Sequence, residues 1–263
     1  MNDNPEDRTP LANWSRLRAL TPARIGLGHR GASMPVDEVL RFGLAHAKAR
    51  DAVHEPFRSG EIATALAALG RQVIEVASAA GDRATYLRRP DLGRVLSQKS
   101  RATLASHSRR SDLALVVADG LSATAIHHNA LPLVTAVLAH IEGRAISCAP
   151  IVVASQARVS LGDEIGHLLG ARMVLMLIGE RPGLSSPDSL GAYLTFAPRP
   201  GVSDAARNCL SNIRPAGLSF EVAAAKLDWL IDEAFRRSLT GIDLKDDSDA
   251  LLLTKGAARL PNP

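Results

Sequence analysis

Two continuous apolar runs, residues 113–118 (LALVVA) and 173–178 (MVLMLI), constrain this chain more than any other feature. A strand wetted on one side alternates apolar and polar residues. A run without alternation is buried on both faces, as in a parallel sheet covered by helices. Neither run is long enough to cross a bilayer. Residues 73–77 and 151–154 read as further strands, and residues 190–196 as another.

Helical periods separate these strands. Residues 90–104 and 162–169 read as helices, the second stopping at Gly170. Residues 122–141 read as a longer helix, with Pro132 as a kink or break. Ser219 is placed to cap a helix that runs to about residue 239, with Glu221 near its positive end. This alternation predicts a Rossmann-like α/β fold: an open, mostly parallel sheet with helices on both faces. Ligands of such sheets bind beyond the carboxyl ends of the strands. That points to the loops at 80–89, 119–122, 155–159 and 179–183, all rich in Gly, Pro, Ser or charge.

Before residue 70 the chain reads as helical. The first fourteen residues are a polar, loose stretch. Val36, Val39, Leu40, Leu44 and Ala47 recur at helical spacing after Pro35, and a second helix covers about 61–69. The expected organisation is a flexible tail (1–20), a small all-helical N-terminal domain (21–70) and an α/β domain (71–263).

Composition narrows the function classes. Apolar residues are 46% and charged residues 22%, ordinary for a globular protein. Aromatics are only 3%, too few for stacking platforms along a single nucleic-acid strand. The net charge of +4 is spread among neighbouring acids rather than gathered in blocks. Cys148 and Cys209 are too far apart for a zinc pattern, and with no apolar leader they point to a reducing, cytosolic setting. No membrane or nucleic-acid partner is expected.

Few residues suggest chemistry by themselves. Gly26, Gly28 and Gly31 match G-x-G-x-x-G, but no convincing strand precedes them. A stand-alone nucleotide- or phosphate-binding α/β protein is the alternative reading that rests on this motif. Ser122 is better explained as a helix cap than as a nucleophile. His127 and His128 are adjacent in a helix and face different ways, which does not suit a shared metal. His167 heads H-x-x-G, but Ile165 stands where D-x-H-x-x-G, the motif that supplies a histidine to cobalt, needs Asp. Glu180 ends a buried strand, where it can accept hydrogen bonds from a ligand or pair with an arginine; spacing favours neither. Cys209 reads as a small buried hydrophobe. No catalytic residue and no metal ligand is assigned.

Several segments together resemble the ethanolamine ammonia-lyase light (small) subunit family. They are ATYLRRPDLGR (84–94), ADGLS (118–122), ARV (157–159) with GDEIG (162–166), IGERPGL (178–184) and RNCLSNI (207–213). The GLGHRG stretch and the helix through Arg41, Phe42 and Asp51 also match. The resemblance spans about residues 20–245. It implies one chain of an adenosylcobalamin-dependent lyase that converts ethanolamine to acetaldehyde and ammonia by a radical mechanism. It also implies a large-subunit partner that holds ethanolamine and most catalytic groups. The cofactor is expected between the two chains, with its own base on cobalt, against Val159, Glu180 and Cys209. Backbone groups and one carboxylate are expected to suit a corrin edge better than a cationic cluster. Ala157 replaces the family's usual Gly, which is tolerable unless positive φ is needed there. The resemblance implies a bacterial microcompartment as the place of work, and otherwise the cytoplasm. The N-terminus is shorter than the extension associated with such delivery, so packaging stays open.

Overall fold

The computed structural model describes residues 10–249. The first nine residues of the expected tail and residues 250–263 of the expected α/β domain lie outside the described residues. Three helices come first: α1 (Pro10–Ala19), α2 (Val36–His54) and α3 (Ser59–Ala67). The tail expected to reach residue 20 is therefore helical from residue 10. Pro10 suits a first helical position, and the Leu, Ala and Arg residues behind it are good helix formers.

Gly26, Gly28 and Gly31 lie in the irregular link between α1 and α2, all at positive φ. Arg18 Nε fastens this link by donating to the Ile25 carbonyl at 2.9 Å. Among the described residues no strand precedes the glycines, and no helix starts at them, so they do not form a dinucleotide-binding turn. The nucleotide-binding alternative loses its motif.

The rest of the described chain alternates. In order it is β1 (Val73–Ala77), α4 (Arg83–Arg88), α5 (Gln98–Ser106), β2 (Ser111–Ala118), α6 (Ala123–Ile141), β3 (Ile151–Ser155), α7 (Leu161–Leu168), β4 (Ala171–Gly179), β5 (Leu190–Phe196), β6 (Arg207–Ile213) and α8 (Phe220–Arg237). The single helix expected over 90–104 is broken up. Asp82 caps α4, accepting from the Thr85 amide at 2.7 Å, and a 3-10 turn covers Leu92–Arg94. Ser97 then caps α5, accepting from Ser100 N at 3.2 Å. The helix expected from residue 90 thus starts only at Gln98, where Ser97 supplies the cap, while α4 occupies part of the loop expected at 80–89. Ser122 and Ser219 cap α6 and α8 as expected, and α6 continues through Pro132.

The six strands form one mixed sheet in the order β1-β3-β2-β4-β5-β6. β1/β3, β3/β2 and β2/β4 pair in parallel, while β4/β5 and β5/β6 are antiparallel. The links over 180–189 and 197–206 contain no α-helix, so they return the chain antiparallel instead of crossing over.

Side-chain alternation divides the core into two layers. Leu113, Leu115, Val117, Leu175 and Leu177 pack with α3, α6 and α8 on one face. Ala114, Val116, Val152, Val174 and Met176 pack with Leu104 of α5 and Leu161 and Ile165 of α7 on the other. Helices therefore cover both faces of the parallel part. Because β5 and β6 receive no crossover helix, only the α6–α8 face is covered there, by contacts through Leu194, Leu210 and Ile213. Their other face meets a helix only where Asp163 of α7 reaches Arg207 and Thr195; the remainder is open, and it carries the candidate site.

Candidate functional site

The loops expected to hold a ligand do converge at the carboxyl edge of the parallel strands. Asp119, just past β2, is 1% exposed. Its carboxylate accepts from the Ala157 amide at 3.1 Å and faces Arg83 Nη1 at 3.3 Å. Arg83 also donates to the Gly120 carbonyl at 2.8 Å and, through Nε, to the Val53 carbonyl of α2 at 2.8 Å. Burial raises the Asp119 carboxyl to about 6, against the opposing pull of Arg83. One buried ion pair thus ties together the ends of α2 and β2 and the loop after β3.

That loop is shaped closely. Gln156 takes the left-handed conformation (φ 57°) and Ala157 does not, so a side chain at 157 causes no backbone strain. The Tyr86 hydroxyl donates to the Ala157 carbonyl at 2.9 Å. Arg158 lies over the Tyr86 ring, 4.3 Å from its centroid. Gly93 gives this stack room, since a Cβ there would stand 2.9 Å from Tyr86 Cε2 and 3.0 Å from Arg158 Cγ.

Beside the stack, on the open face of β5–β6, lies a cavity of about 630 Å³. The turn before α7 contributes Arg158, Val159 and Ser160; the sheet contributes Tyr193, Arg207 and Cys209; Arg94–Val95 and residues 200–204 form the remaining walls. Val159 and Cys209, which are 50 positions apart, therefore share one cavity. Tyr193 pairs with Cys209 across β5 and β6. Burial pushes the Tyr193 hydroxyl up. Cys209, expected as a buried hydrophobe, is exposed on this open face; desolvation raises its thiol against the opposing Tyr193 hydrogen bond, with Glu180 adding to the rise, so it presents a neutral thiol to the cavity.

Glu180 sits apart from the cavity lining, at the end of β4 behind Tyr193. Its carboxylate is heavily bonded within the chain. Oε1 accepts from Ser211 Oγ at 2.6 Å, and Oε2 accepts from the Asn212 amide at 3.2 Å and from the Ser189 hydroxyl. Asn212 has positive φ, and the β5/β6 register slips between Leu190 and Ala192. Glu180 thus pins the irregular end of β6 to β4. The arginine partner weighed for Glu180 is absent from these bonds.

Two cavity-wall features were not visible in the sequence. Tyr193 reaches the cavity through antiparallel register, which no local pattern encodes. Arg207 is 2% exposed in its side chain and pairs with the equally buried Asp163 of α7. It also bonds Asp204 at 2.6 Å and the Val202 carbonyl at 2.9 Å, which fixes the 200–204 wall.

Comparison with known proteins places this geometry in a family. The family model described as Ethanolamine ammonia-lyase light chain (EutC) matches residues 11–245. The chain belongs to the ethanolamine ammonia-lyase light chain family. Proteins named ethanolamine ammonia-lyase small subunit share this relationship over nearly full length. The chain is 53% identical over 253 residues to that of Azotobacter vinelandii, covering 94% of each chain. It is 54% identical over 261 residues to that of Xanthomonas campestris, covering 97% of this chain and 95% of the relative. It is 58% identical over 242 residues to that of Rhodopseudomonas palustris, covering 91% and 93%. The names light chain and small subunit imply a larger partner chain. Among the described residues, no helix is long and apolar enough to cross a membrane.

Proposed function

We propose that this chain is the small subunit of a two-chain lyase that converts ethanolamine to acetaldehyde and ammonia, and that its cavity forms one wall of the adenosylcobalamin site. In this reading residues 21–70 are a helical N-terminal domain and the following residues a Rossmann-like cofactor domain. When bound, the cofactor supplies the carbon-centred radical that this deamination requires. The large chain binds ethanolamine and completes the enclosure.

The observation that carries the reading is the meeting of Val159 and Cys209 in one cavity on a sheet face that, among the described residues, α7 covers only in part. The residues fit a corrinoid edge. Val159 offers apolar surface, Cys209 a neutral thiol, and the turn at 158–160 main-chain groups. A corrinoid is larger than a cavity of about 630 Å³, so a second surface has to close over it. Such enclosure keeps water from radical chemistry. Glu180 serves here by holding β6, and hence Cys209, in place. No histidine of the chain is offered to cobalt, and the cofactor is taken as base-on. Work inside a bacterial microcompartment is proposed on family resemblance alone.

Cobalamin binding to the co-purified two-chain complex tests this through the visible absorption of the bound corrinoid. Cys209→Phe, which fills the cavity from an exposed strand position, should abolish binding while the complex still assembles. Undiminished binding by that variant would remove the cavity from the site.

A further inference from the structure

The cavity carries charge that its proposed role has not used. Glu164 and Asp204 line it, but both are already engaged. Glu164 accepts from the Leu96 amide at 2.8 Å and from Arg101 at 2.5 Å, and Asp204 pairs with Arg207. Two cations of the lining, Arg94 and Arg158, face no carboxylate. Arg158 is held by its stack on Tyr86 and by a long bond of 3.4 Å to the Tyr86 carbonyl, and its Nε is buried without an acceptor. A buried guanidinium N–H left unpaired is costly. Here it belongs to a side chain held stiffly at the wall of an open cavity. Arg94 is exposed on the 3-10 turn at the other side of Gly93, and Ser160 stands next to Val159 with its hydroxyl unbonded.

We infer that Arg158 and Arg94 form an anion subsite that takes the phosphodiester of the cofactor's nucleotide tail. The inference rests on the cobalamin reading above and adds an orientation to it, with the tail on the Arg94–Arg158 side and the corrin edge toward Val159 and Cys209. The planar fork of arginine suits phosphate oxygens, and one such arginine already fixed by stacking loses little freedom on binding. The lining combines a neutral side, Val159 and Cys209, with a cationic one, Arg94 and Arg158.

The test compares cobalamin with cobinamide, which lacks the nucleotide tail and its phosphate, on the two-chain complex. Dissociation constants are read from the corrinoid spectrum for the wild type, Arg94→Ala and Arg158→Met. Each variant should weaken cobalamin binding by about tenfold while leaving cobinamide binding within about twofold. Arg94 is exposed and has no partner to lose, so Arg94→Ala reports even if Arg158→Met disturbs the Tyr86 stack. Equal losses for both corrinoids, or no loss for cobalamin, overturn the subsite. Inorganic phosphate that protects both corrinoid complexes alike assigns the arginines to free phosphate, which also overturns it. A wild-type complex that binds neither corrinoid refutes the cofactor reading itself, a result distinct from loss of the subsite alone.

Discussion

Glu180 lies directly across Gly191: a Cβ on Gly191 would stand 3.0 Å from Glu180 Oε1 and 3.2 Å from its Cγ. Only a bare Cα on β5 lets the carboxylate pass from β4 to Ser211 and Asn212 of β6. Gly191→Ala should therefore push Glu180 off its partners and destabilise the chain by about 1–3 kcal/mol. Urea unfolding of the variant measures this, and a stability equal to wild type would show that Glu180 does not need the gap.

Asp119 makes stability depend on pH. Its carboxyl is raised from 3.8 to about 6 in the folded chain, chiefly by burial. Between those values the folded state binds more protons than the unfolded state, so stability falls as pH rises through the window. Full ionisation above about pH 6 costs on the order of 3 kcal/mol relative to the acid limit. Asp119→Asn should remove this component, and its denaturation midpoint should vary less than that of wild type between about pH 4 and 6.5. Parallel pH profiles for the two proteins would count against a raised carboxyl.

The helical stripe on α2 is exposed, with Val36 at 73%, Leu40 at 68% and Leu44 at 58%. Its spacing marks the helix, yet only Glu38 and Ala52 of α2 are buried. An apolar strip of this kind suits a protein that works against a second chain. Leu40→Asp should weaken association with the large chain by about tenfold or more while leaving the isolated chain's stability unchanged. Size-exclusion chromatography of the mixed chains measures it, and unaltered assembly would show that the stripe lies outside the interface.

The parallel core was legible because its strands are apolar throughout: LALVVA and MVLMLI can only be buried on two faces. β6 was not. Its sequence, RNCLSNI, is mostly polar because only Leu210 and Ile213 meet a helix layer, while Cys209 and Ser211 face the open side. The 90–104 region misled because a 3-10 turn takes up Leu92–Arg94 and the Ser97 cap starts the helix only at Gln98, which apolar periodicity does not register. For the candidate site, strand ends pointed to the loop that carries Val159, but Val159 and Cys209 themselves came from family resemblance. Their meeting depends on the order of strands and on the antiparallel return of β5 and β6. Arg207 was hidden for a related reason: its partner Asp163 lies on α7, 44 positions away.

The most direct measurement is acetaldehyde release from ethanolamine by the purified large chain with adenosylcobalamin, in the presence and absence of this chain. The account predicts full activity only when both chains are present. Full-rate deamination by the large chain alone would contradict it.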